Sequence, residues 1–209
     1  MVYFPLQLSL TTFNIMLKEK LQHYKLILAS GSPRRQQFFK DLDLDFEIRL
    51  KEIEEVFPPE LKAEEITNFL ALLKASAFEG ELQPNEILIT SDTIVWHNNK
   101  ALGKPKDRQE AYDILKSLSN TTHEVITSVC FKTNISSNLI NETTKVTFNK
   151  LSDQAILYYL ENYKPYDKAG AYGIQEWIGF IGVSKIEGSY ANVMGMPTDK
   201  VYDYLIKLG

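Results

Sequence analysis

Two kinds of hydrophobic pattern alternate along the chain. Short apolar runs bounded by polar turns predict buried strands, whereas apolar residues that recur every three or four positions predict helices. The predicted strands lie at residues 25–29, 46–50, 86–96, 101–102, 123–133 and 141–149, with a strand pair near 177–187. The predicted helices span residues 33–42, 63–79, 107–118 and 152–163, and a last one begins at Pro197. This order predicts one α/β fold with a large, partly antiparallel sheet.

Local signals mark where several of these helices begin and end. Ser32 is a favourable N-cap, and Pro33 follows at the first helical position, where its missing N–H costs nothing. Asp107 and Glu110 have the spacing of a capping box, and Gly80 is a natural stop for the second helix. The apolar residues predicted to share one face of that helix are Ile66, Phe69, Leu70, Leu73 and Ala77.

Composition and charge narrow the classes of protein. The chain has 209 residues, of which 44% are hydrophobic, and its net charge of −4 disfavours binding to nucleic acid through many phosphates. The one cysteine, Cys130, excludes an intrachain disulfide and fits a reducing, cytoplasmic location, and no apolar run is long enough to span a bilayer. Residues 1–15 lack a basic leader, so we predict a start at Met16, an N-terminal extension over 1–23 and a single domain over 24–209.

Residues 30–35 are the first candidate for chemistry. A predicted strand ends there, and a small-residue loop runs directly into a helix N-terminus, whose free N–H groups favour anions. Ser30 and Ser32 add hydrogen-bond donors, and Arg34 and Arg35 add charge and forked geometry. The segment predicts a phosphate cradle; the alternative is a capped helix with two exposed arginines.

Acidic residues supply a second candidate. Asp92 and Thr93 follow the apolar run 87–89, and a carboxylate at the end of a buried strand is a common metal ligand or general base. Together with Glu55 it would offer hard oxygen ligands to Mg²⁺ or Mn²⁺. The alternatives are a turn-capping aspartate and, for Glu54 and Glu55, a solvated acidic face.

Two lysines and a glycine-containing loop are weaker candidates. Lys104 lies between a glycine and a proline that restrict its backbone, although a surface turn is the default for such a lysine. Lys74, at the edge of an apolar stripe, either snorkels or projects into a cleft. In residues 166–175, Gly170 permits close backbone approach, and Gln175 offers the donor and acceptor that recognition of a base requires.

The remaining polar candidates are interpreted as structural. The histidines are isolated and lack zinc-site spacing, and the cysteine lies inside a strand pattern. These residues are His23, His97, His123 and Cys130. The sequence contains neither a Walker-type phosphate loop nor a dinucleotide-binding fingerprint.

Taken together, these segments resemble the Maf family of nucleoside triphosphate pyrophosphatases. The shared stretches, in order, are LILASGSPRRQQFF, SDTIVW, LGKP, HEVITSV, DKAGAYGIQ and IEGSYANVMGMPT. The resemblance implies an elongated α/β structure with a cleft between two lobes, similar to inosine triphosphate pyrophosphatases. It also implies metal-dependent hydrolysis between the α- and β-phosphates of a nucleoside triphosphate. A homodimer and a link to arrest of septum formation are expected from the resemblance alone.

The resemblance also assigns roles by position. It makes Asp92 the general base, with metal ligation as the alternative. It makes Glu55 and Asp92 the metal ligands. It also places further residues in the phosphate loop or the active site. These substrate-binding candidates are Ser30, Ser32, Arg34, Arg35, Lys74, Thr93, Lys104, Lys168 and Gln175.

Three segments favour one branch of that family. Residues 33–35, 92–93 and 174–175 resemble the branch that acts on dTTP and UTP, with modified pyrimidine triphosphates as plausible relatives. Arg34 after the proline and Thr93 after the aspartate stand where the branch acting on 7-methyl-GTP usually has other residues. The alternatives are the 7-methyl-GTP branch and a nucleotide-binding regulator of septum formation without turnover. Trp177 stands where the family more often has a small residue, and it is expected to narrow the mouth of the cleft.

Overall fold

The computed structural model of the chain describes residues 17–208. The predictions about residues 1–15 and a start at Met16 lie outside the described residues. Residues 17–21 are helical, and Leu17 and Leu21 are buried against the core. The packed part of the chain therefore includes residues that precede the predicted domain boundary.

One mixed sheet organises the described residues. Its strands run in the order β2-β1-β3-β5-β6-β7, and the short β4 pairs with β3 off this path. β1 is parallel to β2 and β3, and the remaining pairings are antiparallel. The strands are β1 (Lys25–Leu28), β2 (Phe46–Ile48), β3 (Glu86–His97), β4 (Lys100–Leu102), β5 (Thr122–Lys132), β6 (Ser137–Phe148) and β7 (Val183–Glu187).

Helices cover both faces of this sheet. They are α1 (Pro33–Asp41), α2 (Glu64–Ser76), α3 (Arg108–Leu118), α4 (Asp153–Tyr163), α5 (Trp177–Gly182), α6 (Tyr190–Val193) and α7 (Thr198–Ile206). The mixed α/β sheet flanked by helices is as the sequence predicts. Within residues 17–208, no helix combines the length and apolar character needed to cross a lipid bilayer.

Alternation along the buried strands explains the two-sided packing. Leu28 belongs to a cluster with Phe39 of α1 and Val201 of α7, whereas Ile27 belongs to a cluster with Ala71 of α2. Successive side chains of a strand point to opposite faces, so both faces of β1 need apolar cover. This is why the strand reads as a continuous apolar run.

The predicted helix starts are confirmed. The Ser32 side chain accepts a hydrogen bond from the backbone N–H of Arg35, and the Asp107 side chain accepts one from that of Glu110. The predicted end of the helix over residues 63–79 is less accurate. α2 ends at Ser76, and turns follow before Gly80, which has a φ of +74°.

The strand pair predicted near residues 177–187 is wrong in its first half. Residues 177–182 form helix α5 rather than a strand, and only Val183–Glu187 pairs with β6. The turn ahead of α5 packs so closely that a Cβ on Gly179 would lie 1.9 Å from the carbonyl oxygen of Ile174. The predicted apolar face of α2 is confirmed in that Ile66 and Leu70 are buried, with Phe69 and Leu73 partly buried against the same cluster. The small side chains of Thr67, Ala71 and Ala75, which were not predicted, are buried as well.

His123 and Cys130 are buried, as their structural interpretation predicts. Nε2 of His123 lies 2.8 Å from the hydroxyl of Tyr172, and burial lowers the pKa of His123 to about 3. Burial also raises the pKa of the Cys130 thiol to about 11. Neither side chain is charged near neutral pH.

Candidate active site

A cavity of about 1060 Å³ opens at the edge of β3, beyond the end of β1. Its volume is at the upper end of the range that small-molecule sites occupy. The walls bring together every predicted site residue, although these come from distant parts of the sequence. They are Ser30, Ser32, Arg34, Arg35, Glu55, Lys74, Asp92, Thr93, Lys104, Lys168 and Gln175.

The loop between β1 and α1 forms one wall of the cavity. The N–H of Ser32 donates to Oγ of Ser30 at 3.3 Å, and the Gln36 side chain donates to the carbonyl oxygen of Ser30 at 3.0 Å. These bonds hold the loop at the start of a nine-residue helix. The first-turn N–H groups and the positive end of the helix dipole lie beside the cavity, an arrangement that favours a phosphate.

The two adjacent arginines have different surroundings. Nε, Nη1 and Nη2 of Arg35 donate to the carbonyl oxygens of Gly195 and Ser91 and to Oγ1 of Thr93, at 2.8, 3.0 and 2.9 Å. Three of its five N–H groups are therefore used inside the protein. Nη1 of Arg34 makes one ion pair, with Oδ2 of Asp167 at 3.1 Å. Arg34 is the freer of the two to meet a ligand.

Asp92 lies inside strand β3 rather than at its end. The pairing of β3 with β1 covers only residues 86–89, and β3 then continues alongside β5 through Trp96. The edge of β3 beyond β1 faces the cavity, and the side chain of Asp92 is 8% exposed there. The strand predicted over residues 86–96 contains Asp92 and is confirmed, whereas the second interpretation, in which Asp92 ends a strand, is wrong. The parallel pairing with β1 does stop three residues before Asp92.

Lys74 of α2 connects the two acidic candidates. Its Nζ lies 2.6 Å from Oδ1 of Asp92 and 3.1 Å from Oε1 of Glu55. Burial alone would raise the pKa of the Glu55 carboxyl, but the Lys74 ammonium group and two other nearby cations together outweigh it, so this pKa lies below its ordinary value. Lys104 and Arg35 act in the same direction. Lys74 therefore projects into the cleft rather than snorkelling.

The remaining predicted residues line the cavity in different states. Oγ1 of Thr93 lies 2.9 Å from Oγ1 of Thr127, so a ligand would have to share this hydroxyl with Thr127. Lys104 is exposed, and Gln175 makes no hydrogen bond with the described residues. Lys168 is 8% exposed, and its ammonium group pairs with Asp167 at 2.8 Å. Gln175 and Lys104 are the members best placed to contact a ligand directly.

Three residues that the sequence analysis did not single out complete this part of the site. Asp167 joins Lys168 to Arg34, Glu176 pairs with Lys168 at 3.1 Å, and the Tyr159 hydroxyl donates to Glu176. Asp167 precedes Lys168, which was predicted to bind substrate, and this adjacency is the one local sign in the sequence that Asp167 belongs to the site. Trp177 packs against the ring of Tyr158 and is not in the cavity wall, so the expectation that it narrows the mouth is wrong.

The fit of a divalent cation depends on Asp92 and Glu55. Within the described part of the chain, no cluster of three or more His, Cys, Asp or Glu side chains could hold a metal ion. Mg²⁺, however, is commonly held by one or two carboxylates, with water and substrate phosphates as the other ligands. Oδ2 of Asp92 and Oε2 of Glu55 have no hydrogen-bond partner among the described residues. Asp92 and Glu55 therefore have the free oxygens needed to bind a cation that the phosphates of a ligand also coordinate.

The fold and this cavity define an α/β protein with a site for a polyanionic ligand. A helix N-terminus, several cations and one nearly buried carboxylate face the same space. The chain belongs to the Maf-like protein family, whose profile matches residues 25–208.

Similar proteins cover nearly the whole chain. A Flavobacterium johnsoniae protein named dTTP/UTP pyrophosphatase is 76% identical over 193 residues, which are 92% of this chain and 100% of that protein. Proteins of the same name from Flavobacterium psychrophilum and Phocaeicola vulgatus are 66% and 50% identical, each covering 91% of this chain and 98% and 99% of their own lengths.

Among solved structures, the likeness is slighter. The Staphylococcus aureus Ham1 protein is 13% identical, with a TM-score of 0.39, over 59% of this chain and 71% of its own. A dITP/XTP pyrophosphatase from Mycobacterium abscessus is 12% identical, with a TM-score of 0.40. Likeness of this size carries no functional information.

Proposed function

We propose that the protein hydrolyses dTTP and UTP between the α- and β-phosphates, giving the nucleoside monophosphate and pyrophosphate. The observation that carries the proposal is that Asp92 and the start of α1 face one cavity large enough for a nucleotide. The names of the relatives at 76% and 66% identity support it. Removal of unwanted pyrimidine triphosphates from the nucleotide pool is the corresponding cellular role.

The chemistry follows from the positions of the side chains. The start of α1, Arg34 and Lys104 would hold the triphosphate, whose charge grows on the leaving pyrophosphate. A water oxygen attacks the α-phosphorus, the bond to the bridging oxygen of the β-phosphate breaks, and the water proton passes to Asp92. Lys74 binds one oxygen of Asp92 and leaves Oδ2 for that proton.

A divalent cation, Mg²⁺ or Mn²⁺, is part of the proposal. Glu55, through its free Oε2, would hold it together with the substrate phosphates, and it would neutralise phosphate charge and polarise the α-phosphoryl group. Metal ligation by Asp92 is the alternative to its role as base, because either role would use Oδ2, the oxygen that Lys74 leaves free. We also propose a cytoplasmic protein that acts on small nucleotides rather than nucleic acid, and that is a homodimer. Size-exclusion chromatography with light scattering tests the homodimer; a monomer at every concentration would contradict it.

Release of pyrophosphate tests the reaction directly. Wild-type protein with Mg²⁺ or Mn²⁺ should release pyrophosphate from dTTP and UTP; orthophosphate as the first product would contradict the proposed bond. Asp92→Asn should lower kcat by about 10²- to 10⁴-fold, because a positioned base contributes about that much. The matched control, Asp113→Asn, changes an exposed aspartate of α3 and should keep full turnover.

Competition separates this proposal from its alternatives. With dTTP, UTP and 7-methyl-GTP present together, the pyrimidine nucleotides should be consumed first. Preferred consumption of 7-methyl-GTP would assign the other branch of the family. Tight binding of dTTP without turnover under either metal would instead favour a regulatory protein.

A further inference from the structure

The partners of Arg35 are uncharged. They are the carbonyl oxygens of Gly195 and Ser91 and Oγ1 of Thr93, and unlike Arg34 it makes no ion pair with the described residues. Uncharged acceptors orient a guanidinium group without neutralising it. Arg35 lines the cavity, so its charge and two of its five N–H groups remain available to an anion there.

The hydroxyl of Thr93 connects Arg35 to a residue deeper in the sheet. Oγ1 of Thr93 lies 2.9 Å from Oγ1 of Thr127, a fully buried residue of β5, and that second hydroxyl lies 3.3 Å from the carbonyl oxygen of Asn192. A guanidinium group only donates, so Thr93 accepts from Arg35. Both hydroxyls are satisfied when Thr93 donates its one proton to Thr127, and Thr127 donates to Asn192.

The contacts of Arg35 close into a ring. The N–H of Gly195 donates to the same carbonyl oxygen of Asn192 at 2.8 Å, and the carbonyl oxygen of Gly195 accepts from Nε of Arg35. Two routes therefore lead from this oxygen to the guanidinium group, one through Gly195 and one through Thr127 and Thr93. They end on different nitrogens, Nε and Nη2, and together they fix the orientation of the planar group.

The Asn192 end of the ring is attached to the sheet. Its side chain is fully buried, and Nδ2 lies 3.1 and 3.3 Å from the carbonyl oxygens of Val125 and Glu142 and 3.0 Å from Oγ1 of Thr144. The backbone N–H of Asn192 donates to Oγ of Ser189 at 3.2 Å. These bonds hold the short helix α6 against β5 and β6, so the ring has a fixed end.

We propose that Thr127 is a positioning residue, which holds Arg35 through Thr93 so that the remaining N–H groups of Arg35 meet the phosphates of a nucleotide. The identity of this ligand rests on the proposed function. Neither Thr127 nor Asn192 lines the cavity, so Thr127 acts on a ligand through Thr93 and Arg35. Thr93 likewise orients Arg35, and its proton is used within the ring rather than donated to a ligand.

Two substitutions at residue 127 separate the hydroxyl from the bulk of the side chain. Thr127→Val removes the hydroxyl at similar volume, whereas Thr127→Ser keeps it. The matched control is Thr122→Val, which removes one hydroxyl from the exposed pair of Thr122 with Thr147 in the same strand. Urea unfolding shows whether each variant folds, and Thr93→Val, which breaks the same route one residue nearer to Arg35, replaces Thr127→Val if that variant does not fold.

The position of Arg35 is measured first, without any ligand. Arg35→Lys assigns the Nε–H signal of Arg35 in a nitrogen–proton NMR spectrum. This N–H, bound to the carbonyl oxygen of Gly195, should exchange with water about tenfold faster in Thr127→Val than in wild type, because one of the two routes is lost. Thr127→Ser and Thr122→Val should exchange within about twofold of wild type.

Binding and turnover are then measured separately. In calorimetry with the non-hydrolysable α,β-methylene analogue of UTP, Thr127→Val should bind about tenfold more weakly, and the serine variant and the control within about twofold of wild type. The double variant Thr93→Val/Thr127→Val should bind no more weakly than Thr93→Val, because Thr127 acts through Thr93. In turnover, KM for UTP should rise about tenfold, with kcat within about threefold, since the phosphates are held in ground and transition states alike.

Several results would overturn the positioning role of Thr127. They are wild-type affinity or wild-type exchange of the Arg35 Nε–H in folded Thr127→Val, and an equal loss of affinity in Thr127→Ser, which would assign the effect to packing. An absence of turnover in the wild type, with analogue binding that Thr127→Val weakens, would reject the proposed reaction and leave the role of Thr127 standing. Failure of the wild type to bind the analogue would overturn both.

Discussion

The burial of His123 predicts how the stability of the protein depends on pH. Its side chain is 2% exposed, its Nδ1 has no hydrogen-bond partner, and burial lowers its pKa to about 3 from an ordinary value of 6.5. The folded protein therefore keeps this imidazole neutral down to about pH 3, whereas the unfolded chain takes up the proton near pH 6.5. The free energy of unfolding must fall as the pH drops through this window.

The size of the effect follows from the shift. Each pH unit below 6.5 costs about 1.36 kcal/mol until the folded pKa is reached, so His123 accounts for a loss of about 2 kcal/mol at about pH 5. Below about pH 3 the contribution is constant, because both states are then protonated. Carboxyl groups that titrate in the same range affect the wild type and a His123 variant alike.

Urea unfolding of the wild type and of His123→Gln, each at about pH 7.5 and about pH 5, isolates the contribution. The variant should be less stable at the higher pH, since the contact with Tyr172 is altered. Its further loss on acidification should be smaller than that of the wild type by about 2 kcal/mol. Equal losses in the two proteins would refute the claim that His123 is buried and neutral.

Two further predictions concern packing. Gly170→Ala should lower the free energy of unfolding by about 3 kcal/mol, because Gly170 has a φ of +70° and a Cβ there would lie 2.5 Å from Cγ2 of Val95. Gly103→Ala, where a Cβ meets nothing within 4 Å, is the control and should stay within about 0.5 kcal/mol of wild type in urea unfolding. The Cys130 thiol, with a pKa raised to about 11 by burial, should react with a disulfide reagent only after unfolding; rapid labelling of the native protein would contradict this.

The starts of the helices were predictable because their signals are local. Ser32 and Pro33 lie within one turn of the helix that they begin, and Asp107 and Ser152 cap their helices through atoms three residues away. Such signals need no knowledge of the rest of the fold. They locate the loop between β1 and α1 before any strand pairing is known.

The extent of β3 was predicted from its local pattern, but its pairing partners around Asp92 were not. The end of the apolar run at residue 89 marks where the pairing with β1 stops, not where β3 stops. β3 continues because β5 pairs with it through residue 96. Pairing with a strand that is distant in the sequence leaves no mark on the local pattern that would identify the partner.

The sequence analysis did not single out Glu176 or its contact with Tyr159, because this contact depends on the tertiary fold. Tyr159 reads as an ordinary core residue of a helix, and its hydroxyl contacts Glu176 only after a loop returns the chain. The helix that follows, Trp177–Gly182, was predicted as a strand because its apolar residues fit either period over so short a length. Close packing of Gly179 on Ile174 decides in favour of the helix.

The three hydrogen bonds of Arg35 have a consequence for the order of folding. Arg35 stands in the first turn of α1, yet its Nε is bound by the carbonyl oxygen of Gly195, 160 residues further along the chain. Contacts that close so long a loop form after shorter ones, because closure costs conformational entropy. The contacts of Arg35 with Ser91, Thr93 and Gly195 therefore form late in folding, and their loss should speed unfolding more than it slows folding.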